Sequence, residues 1–217
     1  MSDIIREVDE ELRREDWEKV WKKYGKFVIA GAVGIVLATA AVVGWREFDQ
    51  SRRMAQGDRF AGAVARVENA ASPQEAADIM AALTVEASAG YATLARFREA
   101  KYRADAGNRA AAVALYDTLA SDTAVEPMLR DLATLYSARM QISGGDPAAL
   151  TARLAPLTVN ANPWRYSALE LTAVLALATG DTEAARQIYA PLADDLNTPE
   201  SLRARAAEML RALGPSE

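Results

Sequence analysis

The sequence contains neither cysteine nor histidine. Without thiols or imidazoles there is no disulfide, no thiol nucleophile, no zinc site of the common kind and no Ser-His-Asp or Cys-His constellation. A lack of cysteine suits any compartment. There is also no excess of positive charge. The formal net charge is -5, so no basic field draws the chain to nucleic acid. No GxGxxG, P-loop or GxSxG pattern occurs, and Gly31-Ala32-Val33-Gly34 falls inside an apolar run. Catalysis would have to rest on carboxylates or lysine, and beyond residue 45 Lys101 is the sole lysine. Asp194-Asp195 are adjacent carboxylates, which point in different directions on a helix, so the pair reads as a solvated helix end. Asp122, Glu126 and Asp131 read as turn and first-turn acids. The expectation is a protein with no enzymatic activity, no cofactor and no metal.

Aromatic residues make up only 7% of the chain, while alanine recurs throughout. Alanine is the best helix former, and strands favour aromatic and β-branched residues, so an all-α fold is expected.

One segment stands apart. Phe27 to Trp45 reads FVIAGAVGIVLATAAVVGW, with no charge. As a helix it would span about 28 Å, close to the hydrocarbon thickness of a bilayer. Trp21, Tyr24 and Trp45 stand where interfacial aromatics belong. Seven basic residues precede the run: Arg6, Arg13, Arg14, Lys19, Lys22, Lys23 and Lys26. In the 20 residues after it there are only Arg46, Arg52, Arg53 and Arg59. This asymmetry predicts a cytoplasmic N-terminus, with residues 46–217 outside, which in a Gram-negative bacterium is the periplasm. Ala38-Thr39-Ala40 matches a signal-cleavage pattern. The charged start is too long and the apolar run continues too far for a signal peptide, so an uncleaved anchor is expected. Ala30, Gly34 and Ala38 lie four apart and form a small-residue face open to another transmembrane helix.

Residues 1–26 carry eight acids and seven bases. Ile5, Val8 and Leu12 share one helical face; Trp17, Val20, Trp21 and Tyr24 share another. The pattern predicts a cytoplasmic amphipathic segment that turns into the span near Gly25. For residues 1–12 a solvated tail stands beside this reading.

From residue 46 to 90 the pattern predicts a stalk and first helices, with Phe60, Val64, Val67 and Ala71 on one face. Ser72-Pro73-Gln74-Glu75 has the form of a capping box and starts a new helix. From residue 91 the chain repeats. Gly107-Asn108, Gly145-Asp146 and Gly180-Asp181 are turns 38 and 35 residues apart, near the 34 of tetratricopeptide repeats. Seven residues before each glycine stands Ala100, Ala138 or Ala173. Five after stands Ala112, Leu150 or Ala185, nine after Tyr116, Leu154 or Tyr189, and twelve after Leu119, Leu157 or Leu192. Glycine can end a first helix in the left-handed conformation, and Asn or Asp can cap the second. The alanines let the two helices close, and the large residues fill the space between hairpins. Asp146-Pro147, Asn162-Pro163 and Thr198-Pro199 are further helix starts. The prediction is an all-α protein. A single N-terminal transmembrane helix precedes a tetratricopeptide-like α-solenoid of hairpins at 91–120, 127–158 and 163–195, closed by a capping helix from Pro199 to Leu213.

Stacked hairpins leave a concave surface suited to peptide segments. Their first helices, 91–105, 127–142 and 163–179, would line it, with Phe97, Lys101, Leu135 and Arg139 as candidate lining residues. For each of these, core packing or plain solvated surface is the competing assignment.

Tyr24-Gly25-Lys26 entering the span, Gly44-Trp45-Arg46 leaving it, the helical stretch Ser51–Val67 and Gly90-Tyr91-Ala92-Thr93-Leu94-Ala95 together resemble the YfgM-type ancillary subunit of the SecYEG translocon. The resemblance runs from about Asp16 to the end. It implies an inner-membrane protein with a periplasmic repeat domain and no catalytic residues. The implied partners are SecYEG and a membrane-anchored periplasmic chaperone of the prolyl-isomerase type, with unfolded secreted proteins as clients. The charged start Met1–Glu15 departs from the family and puts any inherited cytoplasmic contact in doubt. A scaffold in another envelope assembly, for division or outer-membrane biogenesis, would need the same anchor and repeats.

Overall fold

The computed structural model describes the backbone of residues 2–214, and side chains for residues 21–27 and 29–214. The expected apolar faces through Ile5, Val8, Leu12, Trp17 and Val20 lie outside the described side chains. All described elements are helical. The chain divides into two compact units, residues 1–55 and 56–217.

Helix α1 runs from Ser2 to Glu68 and belongs to both. The expected turn near Gly25 is absent: the backbone stays helical through it. A lone glycine costs a helix only about 1 kcal/mol relative to alanine. Gly25 instead makes room, since a Cβ there would stand 3.2 Å from the Trp21 indole. Trp21–Glu68 is long and apolar enough to cross a membrane; its most apolar stretch has a mean hydropathy of 2.4 and none of that stretch is buried. Ile29, Ile35, Val36, Leu37 and Val43 all face outward. In water that surface would be unfavourable by about 25 cal/mol per Å², whereas lipid accepts it. The single hydroxyl of the run is satisfied internally, Thr39 Oγ1 donating to the Ile35 carbonyl at 2.8 Å.

Residues 56–217 form a stack of hairpins. The end of α1 pairs with α2 (Pro73–Glu86), an additional hairpin before the three aligned ones. Phe60, Ala63, Val64 and Val67 of α1 pack with Met80 and Leu83 of α2 and with Ala95. The capping box forms with a variation. Ser72 Oγ accepts from the Glu75 amide at 3.2 Å, while Glu75 reaches back to the Ala71 amide rather than to that of Ser72. The aligned hairpins are α3 (Ala89–Asp105) with α4 (Arg109–Ser121), α5 (Pro127–Gln141) with α6 (Pro147–Leu154), and α7 (Arg165–Ala178) with α8 (Thr182–Asp194). A short 3-10 turn, Ala155–Leu157, extends α6, and α9 (Glu200–Leu213) closes the stack.

The repeat positions carry this architecture. All twelve aligned residues are buried, none more than 3% exposed. Gly107 and Gly180 have φ of +82° and +84°. The amides of Asn108 and Asp181 reach back to Arg103 and Ala176, the Schellman pattern. Asn108, Asp146 and Asp181 then cap α4, α6 and α8 through their side chains. Gly145 differs. Its φ is not positive, and glycine is needed there for space, because a Cβ would lie 2.9 Å from the Gln141 carbonyl. Thr198 also departs from expectation: its hydroxyl is buried without a partner and caps nothing.

Between the second and third hairpins three rings meet, Phe97, Tyr116 and Tyr136, with centroids 5.3 to 6.3 Å apart. Burial first, then the neighbouring Tyr136 and Asp105, push the Tyr116 phenol up to about 12 from 10.0. An unfolded chain would ionise this tyrosine near 10 while the folded chain keeps it neutral. Its contribution is therefore complete below pH 10 and is lost as pH rises toward 12. Denaturant unfolding across that range is expected to show a pH-dependent fall that is smaller in Tyr116→Phe. Beside the rings, Asp117 of α4 accepts from Ser137 of α5 at 2.5 Å and from Arg153 of α6 at 2.6 Å, tying three helices together.

Candidate functional site

Helices α5 and α7, the first helices of the last two hairpins, frame with α9 a groove of about 650 Å³. Cavities of this size are in the usual range for ligand sites. Leu132, Leu135, Tyr136, Arg139 and Ile142 come from α5 and the residue after it, Ser167, Glu170, Leu171 and Val174 from α7, and Arg205 from α9. Trp164, just ahead of α7, closes one side.

The walls are held by the core behind them. Leu135 and Leu171 belong to the cluster of Ala138, Leu150, Leu154, Leu157, Ala168 and Leu175, and Ile142 and Trp164 pack against it. Trp164 is fixed further. Its indole N–H donates to the Met128 carbonyl at 2.8 Å, and its amide donates to Asn162, which itself holds Asp131 at 2.8 Å. A side chain anchored on both sides is already placed for a ligand, so little ordering cost falls on binding.

The charged groups of the groove are unequal. Arg205 grips Glu170 with two hydrogen bonds, Nε to Oε1 at 2.7 Å and Nη2 to Oε2 at 2.9 Å. The hydrogen bond to Glu170 is the main cause that holds the guanidinium above its ordinary value. Arg139 is exposed and has no hydrogen-bond or ion-pair partner among the described residues.

Of the residues named from sequence, Leu135 and Arg139 line this groove. Phe97 lies in the neighbouring ring cluster, touching Tyr136. Lys101 is exposed and pairs with Asp105 at 2.5 Å. Ala30, Gly34 and Ala38 face outward on α1, with nothing within 4 Å of a Cβ at Gly34. Trp164, Tyr136, Glu170 and Arg205 went unnamed. The 35-residue interval from Glu170 to Arg205 is one repeat long, and it is the signal that could have paired them.

Of the other acids, Asp195 ends α8. It accepts from the Asn197 amide at 2.9 Å and the Tyr166 hydroxyl at 3.0 Å, and these bonds, the backbone one foremost, hold its carboxyl below its ordinary value. Among the described residues no three carboxylates gather as a metal site would require.

A family profile described as a tetratricopeptide repeat-like domain matches residues 18–210. The chain belongs to that family. No curated protein and no solved structure gave a match. Tetratricopeptide-like domains are typically non-catalytic interaction modules built from stacked helix pairs, which is the architecture of residues 56–217. The family match begins ahead of Phe27 and takes in the apolar segment as well as the repeats.

Proposed function

We propose that this tetratricopeptide-like protein is a non-catalytic interaction module anchored in a bacterial inner membrane by α1. Its N-terminus is cytoplasmic and its repeats are periplasmic. There it assists secreted chains beside the Sec translocon, together with a membrane-anchored chaperone of the prolyl-isomerase type. The observation that carries the interaction role is the preformed groove on the first-helix face, lined by both apolar and polar side chains and backed by the core. The anchor raises the effective concentration of that groove near membrane partners. The basic residues ahead of Phe27 support the orientation. The Sec assignment rests on the resemblance carried by the entry and exit of the span and by Gly90–Ala95.

Because the chain has no cysteine, single-cysteine variants report topology without background. Gln187→Cys, exposed on α8, is expected to react with an impermeant maleimide in intact spheroplasts; protection until lysis would refute the orientation. Affinity purification in mild detergent is expected to recover translocon and chaperone components with the wild-type chain. Fewer are expected with Ser167→Trp, which fills the groove. Recovery of neither component sinks the Sec assignment.

A further inference from the structure

We infer that the groove between α5, α7 and α9 selects a partner segment with an internal acidic side chain flanked by apolar ones, and that Arg139 is the residue that reads the acid. The inference rests on the reading of this face as the docking surface and adds to it a preference of charge.

The groove holds three charged side chains, Arg139, Glu170 and Arg205. Glu170 and Arg205 satisfy one another through a two-pronged pair, so neither is free to greet a ligand without losing two hydrogen bonds. Arg139 has no such partner among the described residues, so its guanidinium is the open charge in a cleft whose other walls include Leu132, Leu135, Ile142 and Leu171. A basic ligand would set like charges together at Arg139, and a purely apolar one would cover the guanidinium without replacing its water. A carboxylate satisfies it through a charge-assisted bond.

The placement along α5 says where in the ligand the acid must lie. Leu135 stands one turn before Arg139 and Ile142 nearly one turn after, and both line the same groove. Apolar ligand side chains therefore have walls to meet on either side of the acid. That fits an acid inside a segment rather than a carboxylate at a chain end, which would leave one wall empty. Tyr136 and the anchored Trp164 supply the aromatic contacts that carry most energy at such surfaces.

The test uses the full chain in lipid nanodiscs against an array of short apolar peptides. The central position of each peptide is glutamate, glutamine or lysine. Wild type is expected to retain the glutamate peptides preferentially. Arg139→Gln is expected to bind them about tenfold more weakly, a larger loss than for the glutamine peptides. Arg139→Glu is expected to move the preference to lysine peptides. Arg139 is exposed, so these variants keep the fold; their melting curves serve as the check. Ser167→Trp separates docking in the groove from the preference of charge. If it abolishes binding but central charge makes no difference in any Arg139 background, the groove stands and the charge preference is overturned. If binding is indifferent to Ser167→Trp as well, both fall.

Discussion

Leu154→Ala is expected to lower the unfolding free energy of the repeat unit by roughly 2–5 kcal/mol, the range for leucine truncation in a closed core. Leu154 is 1% exposed and lies among Leu135, Ala138, Leu150, Leu157, Ala168, Leu171 and Leu175. These belong to α5, the α6 segment and α7, so the vacancy opens between hairpins that have few other contacts. The helix α6 is only eight residues long and depends on this cluster and on the Asp117–Arg153 pair for its position. Stability in a stack is a sum of units and nearest-neighbour interfaces, so weakening one interface is expected to loosen the neighbours on both sides. Leu135 and Leu171 also line the groove, so loss of partner binding should accompany the loss of stability. Leu196→Ala is the control. Leu196 is 86% exposed in the turn before α9, and its truncation is expected to change stability by less than about 0.5 kcal/mol. Denaturant unfolding of both variants, read by circular dichroism, checks the pair; equal effects would contradict the core assignment.

The second large effect concerns the anchor. Ile35→Arg with Val36→Arg places two charges at the middle of the apolar run, each costing about 2.5–3.5 kcal/mol at a bilayer centre. Insertion is expected to fail, and the chain to leave the membrane pellet on carbonate extraction. The repeats should keep their helical signal, because none of the described side chains in the most apolar stretch is buried. Retention in the pellet by the double variant would argue that α1 does not span lipid.

Much of this could be read directly from the residues because repetition averages out local ambiguity. One alanine at Ala138 says little; alanine at Ala100, Ala138 and Ala173, each seven residues before a glycine, says that two helices close at that point. The twelve aligned positions all lie in the interior of residues 91–217, and the caps at Asn108, Asp146 and Asp181 form as their side chains dictate. Positions that do not repeat were harder. The hairpin made by the end of α1 and α2 has no glycine turn; its first helix is the tail of α1, so the pattern of 46–90 gave helices without their pairing. Gly145 has the sequence of its two counterparts but a different backbone, since close approach to Gln141 and Leu150 fixes it rather than handedness. Thr198-Pro199 looks like a cap, yet the threonine hydroxyl is buried and bonds no amide of the helix.

The groove was legible in half. Leu135 and Arg139 follow from knowing which helix lines the inner face. Glu170 and Arg205 show in the sequence only as an interval of one repeat, and their pairing depends on how the closing helix lies. Trp164 escaped for a similar reason. It precedes its helix, and only the bonds to Met128 and Asn162 turn its ring to the groove.

The most direct measurement is site-specific photocrosslinking in living cells, with a photoreactive residue at Ser167 in the groove and, separately, at Gln187 on the outer side of α8. The account predicts discrete adducts to translocon or chaperone components from Ser167 and none from Gln187. Adducts from Gln187 alone, or from neither position, would contradict it.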